Sequence, residues 1–565
     1  MDLNAHQGRP ALLGLLLLLG LPAARAEEPA PNASVTVLEP VFVEASTGDP
    51  WIYFTVPGFE VISHCPESFN ETYARALRRA AAARLAVLPA GFWGDMPTPM
   101  KIVLYDRAPA PRSGFARGSP IDLAWVAGGG SVGSGTVMRS FPVTVGDGDT
   151  YINCGNYWSI QTDSDDFSVD PDSAIRLEHR VPRLPDWFEA GVEGPRGIYP
   201  NSIIRPSAFS EALVLASATW VSPEETLALQ NEAKEKRKDG KGPAPREMLP
   251  LGALFRGGAP AGKRELWNSE AALVVRWGLF EGARKQAFLG FVDAASREPA
   301  TEDLFRRHLG FGYDHAVELL QAYLPKAVSE PVRTQMESLP PKPLEAREAS
   351  SVEVARIIGD WGRLEGRSAA IENLDYQREC LDQADRLFQR IHLRRNSDPK
   401  FLAAYGLYEV QVGNDVEARE ALESATGAGV VRPRAYVELA RLRLDEALPS
   451  VQQGAGDLDR AEYAAITGLL TTARVQMPSL LATYDVLARV LEHAPSRPTR
   501  EELRPLEEAL ENFPQNAPLA YKVANLFREV GYGDEAAAIV TRASRFSDSD
   551  ESRSLLAEFL ARKPK

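Results

Sequence analysis

The sequence predicts a mixed α+β amino-terminal half followed by an all-α solenoid of helix pairs. Three observations carry that expectation. Runs of β-branched and aromatic residues bounded by Pro and Gly all lie between Thr36 and Asn153. Helical spacing of apolar residues dominates after Pro250. In the last third, small residues and turn glycines recur at matching intervals. Composition suits such a protein: the 565 residues are 44% hydrophobic and 25% charged, with only 3 Cys, which excludes disordered, collagen-like and disulfide-scaffold classes. Acidic residues outnumber basic ones 77 to 63, for a net charge of −14, so no nucleic-acid partner is expected.

The chain begins like a secretory signal. Arg9 precedes the apolar run Ala11 to Leu21, and the small residues of Ala24-Arg25-Ala26 frame a cleavage site after Ala26. The run is too short to cross a bilayer as a helix, which needs about 20 residues, and no later stretch is long and apolar enough. Residues 1–26 are therefore read as a signal peptide and the protein as exported, periplasmic or extracellular, with no transmembrane segment after cleavage. Richness in Ala, Arg, Gly and Pro fits a GC-rich bacterial source. In an oxidising compartment a Cys65–Cys154 disulfide is permitted; the alternative is that Cys65, Cys154 and Cys380 are buried thiols.

Strands are expected at Thr36–Leu38, Val41–Val43, Trp51–Val56, Phe59–Ile62, Met100–Tyr105, Leu123–Ala127, Phe141–Val145 and Tyr151–Asn153. Tyr73, Leu77, Ala81 and Leu85, at intervals of four, predict a helix over Phe69–Leu88. The Gly128–Gly135 run lacks the lysine of a phosphate loop and the strand-turn-helix setting of a serine nucleophile, so it reads as a surface hairpin or lid. Asp163, Asp165, Asp166, Asp170 and Asp172 do not match an EF-hand and read as a solvated loop. Glu232–Pro250, with its basic run Lys234–Lys241, reads as a solvated connector. The expected division is residues 27–330 for the α+β domain, 331–398 for a helical connector or capping helices, and 399–565 for the repeats.

Within the repeats, Gly406 is followed by Gly413 and Ala418, and Ala524 by Gly531 and Ala536. Leu422 and Ala425 then match Val540 and Ala543 in kind and spacing, and Ala440 stands 34 residues after Gly406. This pattern resembles the tetratricopeptide (TPR) repeat, a helix pair of 34 residues whose small side chains permit close packing. Leu480–Val490 with Leu503–Leu510 forms a degenerate copy closed by Pro514, Pro449–Leu458 reads as an insertion, and Val352–Trp361 with Tyr376–Ile391 extends or caps the array. The resemblance implies a protein or peptide partner in the groove of the array. Tyr405, Tyr408, Tyr436 and Tyr521 are candidates to line that groove, or packing residues.

Leu184-Pro185-Asp186-Trp187-Phe188-Glu189-Ala190-Gly191-Val192 resembles the P-x-W-x-x-E-G-x-A segment of gluzincin metallopeptidases of the peptidase MA-like type. Leu249–Phe255 and Leu266–Val274 look like the helices that follow it in that family. The resemblance implies an H-E-x-x-H zinc helix upstream and a glutamate as third ligand, Glu189 standing one residue from the family position. It also implies that, if His179 is the second histidine, Ile175 and Arg176 occupy the places of the first histidine and the catalytic glutamate. Isoleucine cannot ligate zinc, an arginine repels it, and none of the 7 histidines is followed by Glu. Glu189 is then a buried relic paired with Arg176 or His179, and no cofactor is expected. The reading is an exported, non-catalytic peptidase-like protein acting through repeat-mediated protein interaction. Two alternatives stay open: an active zinc hydrolase with a rearranged ligand set using His179 and Glu189, and a structural envelope protein.

Overall fold

The computed structural model describes residues 50–64, 88–92, 99–104, 141–142, 152–155, 180–193, 213–215, 248–260, 263–280, 283–329, 332–334, 343–369, 374–450, 457–477, 479–546 and 550–561. It also describes scattered positions between 67 and 78, where 67, 68, 70, 71, 74, 75 and 78 are helical, within and just ahead of the expected helix. The signal segment 1–26 and the runs 36–38, 41–43 and 123–127 lie outside the described residues. So do the Gly128–Gly135 run, the Asp163–Asp172 cluster, Cys65 and the basic run 234–241.

The strands are β1 (Ile52–Val56), β2 (Phe59–Ser63), β3 (Met100–Leu104), β4 (Phe141–Pro142), β5 (Ile152–Gly155), β6 (Leu213–Leu215), β7 (Val332–Thr334) and β8 (Arg347–Glu348). β6 and β7 form an antiparallel pair. The others form one mixed sheet in the order β4-β5-β3-β2-β1-β8. β1 and β2 are a hairpin in which Val56 faces Phe59 and Ile52 faces Ser63. β2 runs parallel to β3, and β3 to β5. β2 (FEVIS) is buried at every position, as suits a strand inside a sheet with both faces covered.

A second core is helical. It comprises α1 (Asp186–Glu193), α2 (Leu251–Leu254), α3 (Arg264–Phe280), α4 (Arg284–Ala295), α5 (Glu302–Leu309) and α6 (Tyr313–Ser329). Trp187, Phe255, Trp277, Phe288, Phe291 and Phe305 fill it. α5 shows why these boundaries fall where they do. Thr301 accepts the Leu304 N–H at the start, Gly310 ends the helix at φ 84°, and acids lead while Arg306, Arg307 and His308 follow.

From Ser351 onward the chain is a run of helix hairpins. Their members are α7 (Ser351–Ala369) with α8 (Leu374–His392), α9 (Pro399–Val412) with α10 (Asp415–Gly427), and α11 (Pro433–Ser450) with α12 (Arg460–Val475). α13 (Leu481–Glu492) with α14 (Arg500–Asn512) and α15 (Ala517–Glu529) with α16 (Gly533–Ser544) follow, and α17 (Asp550–Ala561) closes the series. The first helix of each hairpin touches the first helix of the next, from α7 through α9, α11, α13 and α15 to α17. α9 and α11 begin 34 residues apart. A Cβ on Gly406 would stand 2.7 Å from Leu422 Cγ, so α9 and α10 approach as closely as glycine allows. Gly413 and Gly531 turn the chain at φ 85° and 95°. α7 and α8, read from sequence as a connector or as helices that extend or cap the array, stack as its first hairpin.

α7 belongs equally to the sheet. β8, just ahead of it, pairs with β1. Ile357, Ile358, Trp361 and Leu364 of α7 pack with Ile62 of β2. A boundary at 330/331 therefore does not separate two packing units. Between the two layers lie buried charges. Arg356 donates to Glu60 at 2.9 and 3.0 Å, Arg363 Nε to Asp360 at 2.8 Å, and Arg432, just before α11, to both oxygens of Asp360 at 2.8 and 3.1 Å. Asp360 is wholly buried.

Burial works to raise the Glu60 carboxyl, but the hydrogen bonds and charge of Arg356 outweigh it and hold it down to about 2. Lys101 on β3 is driven the other way. Burial, with the guanidiniums of Arg432 and Arg356, lowers its ammonium to about 7.

A carboxyl whose folded pKa lies below its unfolded value stabilises the fold when ionised. The Glu60 contribution is thus complete above about 4.5 and lost as pH falls toward about 2. Arg356→Ala, which removes both guanidinium hydrogen bonds and leaves that buried carboxylate with the Tyr53 hydroxyl and the distant Lys400 ammonium, should cost about 3 kcal/mol in urea unfolding at pH 7. Folding releases the Lys101 proton between about 7 and 10.5, so stability from this group rises with pH there. Lys101→Met should therefore stabilise the protein more at pH 7 than at pH 10, measured by the same titration.

Candidate functional site

α1 carries the segment singled out from the sequence. The Pro185 carbonyl accepts the Phe188 and Glu189 N–H groups at 2.8 and 3.1 Å, which starts the helix. Trp187 and Phe188 are fully buried, with the Trp187 ring 4.7 Å from Phe255 and 5.9 Å from Phe291. On Gly191 a Cβ would come within 2.6 Å of the Ala271 carbonyl oxygen and closer still to Val275 Cγ2. Only glycine lets α1 lie this close on α3. In this chain the Trp and the Gly of the segment thus meet packing requirements.

Glu189 is 7% exposed. It accepts from Arg183 Nη2 at 2.7 Å and from Nε at 3.2 and 3.3 Å. Its described cation is Arg183, where sequence reasoning expects Arg176 or His179. Those two and Ile175 lie outside the described residues. The described histidines are dispersed. His64 stacks on Trp51 at 3.6 Å, His315 Nδ1 lies 3.1 Å from Glu318, and His392 lies against Tyr405 at 4.5 Å. His308 sits beside Gly290. Among the described residues no three His, Cys, Asp or Glu side chains are grouped to hold a metal ion. Cys380 is buried, as its alternative reading expects.

Beside Trp187 opens a cavity of about 650 Å³, within the usual range for a small-molecule site. The start of α1, the α2 turn, the α4–α5 loop and α6 contribute Asp186, Arg256, Glu302 and Tyr313, and the repeats contribute Gln515, Arg545 and Phe546. Both carboxylates are engaged. Asp186 lies 3.6 Å from Arg183, while Glu302 accepts from Arg306 at 2.9 Å and from the Tyr313 N–H at 3.1 Å. The Tyr313 hydroxyl donates to the Ala300 carbonyl at 3.1 Å, and burial, then the Glu302 charge, raise its pKa. Of this set sequence reasoning singles out only Asp186, and that as part of the peptidase-like segment. Arg256 and Arg545 lie far apart in the chain, and no local pattern connects them.

Of the two positions left open for the candidate tyrosines, groove lining and packing, three take the packing one. Tyr405, Tyr408 and Tyr436 are buried. Tyr408 donates to the Leu381 carbonyl and Tyr436 to the Thr426 carbonyl, both at 3.4 Å, and Tyr405 stacks on Phe401. These three are core residues of the hairpins. Tyr521 is half-buried against Phe559, their ring centroids 6.0 Å apart.

No protein-family model and no curated protein matches the chain. Among solved structures, the MamA protein is similar at 15% identity and a TM-score of 0.26, over 38% of this chain and 97% of that one. A thermophilic TPR protein of Thermus thermophilus is similar at 18% identity and a TM-score of 0.26, over 36% and 98%. The flexible tandem repeat domain of a bacterial cellulose synthase component is similar at 18% identity and a TM-score of 0.18, over 38% and 100%. Among the described residues no helix is long and apolar enough to cross a membrane.

Gly191→Ala should push α1 off α3 and destabilise the protein by about 1–3 kcal/mol, as overpacked cores do. A fall in the thermal midpoint with unchanged far-ultraviolet circular dichroism checks this.

Proposed function

We propose that this is an exported protein that acts by holding another protein on its TPR-like helix hairpins, and that its peptidase-like segment does not hydrolyse peptides. The observation that carries the proposal is the stack of hairpins in which each first helix packs on the next. Such arrays present an extended face built from many short, equivalent elements, which suits an extended peptide or a helix better than a small substrate. Apolar side chains also stand in solvent at the hairpin ends. The turn between α9 and α10 exposes Val412 and Val416, Val416 to 62%, and Leu393 and Val475 are exposed after α8 and at the end of α12. The peptidase likeness supports an inactive relic: with His179 as the second histidine, Ile175 and Arg176 fall where that family has its first histidine and its catalytic glutamate. Export rests on residues 1–26 alone.

The binding test uses the whole chain, because cutting near 345 would expose the sheet-facing side of α7 and strand Glu60. A photo-reactive residue at Val416 in the full-length protein, expressed in its source cell, should cross-link one protein species reproducibly. Val416→Glu should reduce capture several-fold without changing the melting temperature; absence of any specific adduct counts against the proposal. Purified protein should hold no stoichiometric zinc by elemental analysis and cleave no casein. Zinc near one per chain, lost in His179→Ala together with hydrolysis, would establish the metallohydrolase alternative instead.

A further inference from the structure

Lys101 stands where β3 meets β2, α7 and the segment leading into α11. It pairs in the strand register with Glu60 on one side and Ile152 on the other, and α7 crosses the sheet at β3 and β5. The residue is 6% exposed, yet its ammonium makes no hydrogen bond and no ion pair among the described residues. The neighbouring acids are committed elsewhere. Glu60 is held by Arg356 of α7, by the Tyr53 hydroxyl of β1 and, at 3.9 Å, by Lys400 of α9. Asp360 is held by Arg363 and by Arg432. Asp398, ahead of α9, bears on Arg356, and β5 carries Cys154 as its titratable residue. A buried ammonium without a counter-ion has lost its hydration with no partner to replace it, and Arg432 and Arg356 repel it. The closed joint therefore suits the neutral amine.

We propose that Lys101 is a proton-operated latch, whose protonation frees α7 from β2 and β3 while the later hairpins stay folded. Asp360 keeps Arg432 on α7, so the first hairpin leaves the sheet still attached to the array. The hairpins beyond need only their neighbours, and such chains open locally at less cost than they unfold. Opening bares Ile62 of β2 and Ile357, Ile358, Trp361 and Leu364 of α7, an apolar face that the closed form hides. In the closed joint, burial and then the charge of Arg432 keep the amine neutral above about 7, whereas in water it takes a proton below 10.5. Opening thus binds a proton between those values. It grows easier as pH falls through that window and levels off below about 7. Glu60, held down to about 2, stays ionised throughout.

Hydrogen exchange of the full chain at about pH 6.5 and 8.5, corrected for intrinsic rates, tests the latch. Amides of Ile357–Leu364 and Phe59–Ser63 should lose about tenfold or more of their protection at the lower pH. Amides of α13 to α16 should keep theirs. Lys101→Met and the polar Lys101→Gln should each remove the pH dependence of α7 and β2, and either variant alone is decisive should the other fail to fold. Protection of α7 and β2 that is the same at both pH values would overturn the inference. So would an equal loss in α13 to α16, which marks unfolding of the whole chain. A loss that persists in the variants would overturn it too, since the proton then belongs to another group such as Cys154.

Discussion

The fold turns on the charges buried between β2, β3 and α7. An ion taken from water into a protein interior loses several kcal/mol of solvation, and only close, well-directed partners restore it. α7 brings Arg356, Asp360 and Arg363 inward at successive turns of one helix face. β2 supplies Glu60 to the first, and the segment ahead of α11 supplies Arg432 to the second. None of these groups can be buried alone. The sheet, the first hairpin and the loop between the second and third hairpins are therefore obliged to assemble together. With two carboxylates facing three guanidiniums, the neighbourhood already holds an excess of positive charge. That excess adds to burial in making the Lys101 ammonium unwelcome.

The same charges explain which parts of the architecture are legible in the sequence. β1, β2 and β3 announce themselves through dense β-branched and aromatic residues between Pro and Gly, and α9 with α10 through small residues at helical spacing, because those signals are local. The role of α7 is hidden by its own composition. A helix whose inward side carries two arginines and an aspartate looks, residue by residue, like one with a solvated face, so its stretch reads as a connector or cap of the array, and its tie to the sheet stays hidden. For the tyrosines, helical spacing leaves both groove and core open. α9 is buried from Phe401 to Glu409, since both its hairpin partner and the neighbouring first helices cover it. Tyr405 and Tyr408 consequently belong to the core, the packing position that their helical spacing allows.

The segment around Trp187 is conspicuous for sound physical reasons, and the structure divides those reasons. Trp187 and Gly191 are accounted for by the aromatic core and by the contact between α1 and α3. Glu189 is bound to Arg183 six residues away. The cavity beside the same tryptophan leaves no trace in the sequence, since its walls come from segments far apart in the chain.

The sharing of α7 bears on how such a chain can change over generations. Repeat arrays ordinarily lengthen, shorten and recombine freely, because each unit needs only its neighbours. Here a breakpoint placed anywhere between Glu60 and Arg356 and one placed between Asp360 and Arg432 carry the same penalty, a charge inherited without its counterpart. The two halves are thereby bound to a common line of descent, and freedom to gain or lose hairpins is confined to the segment beyond Arg432.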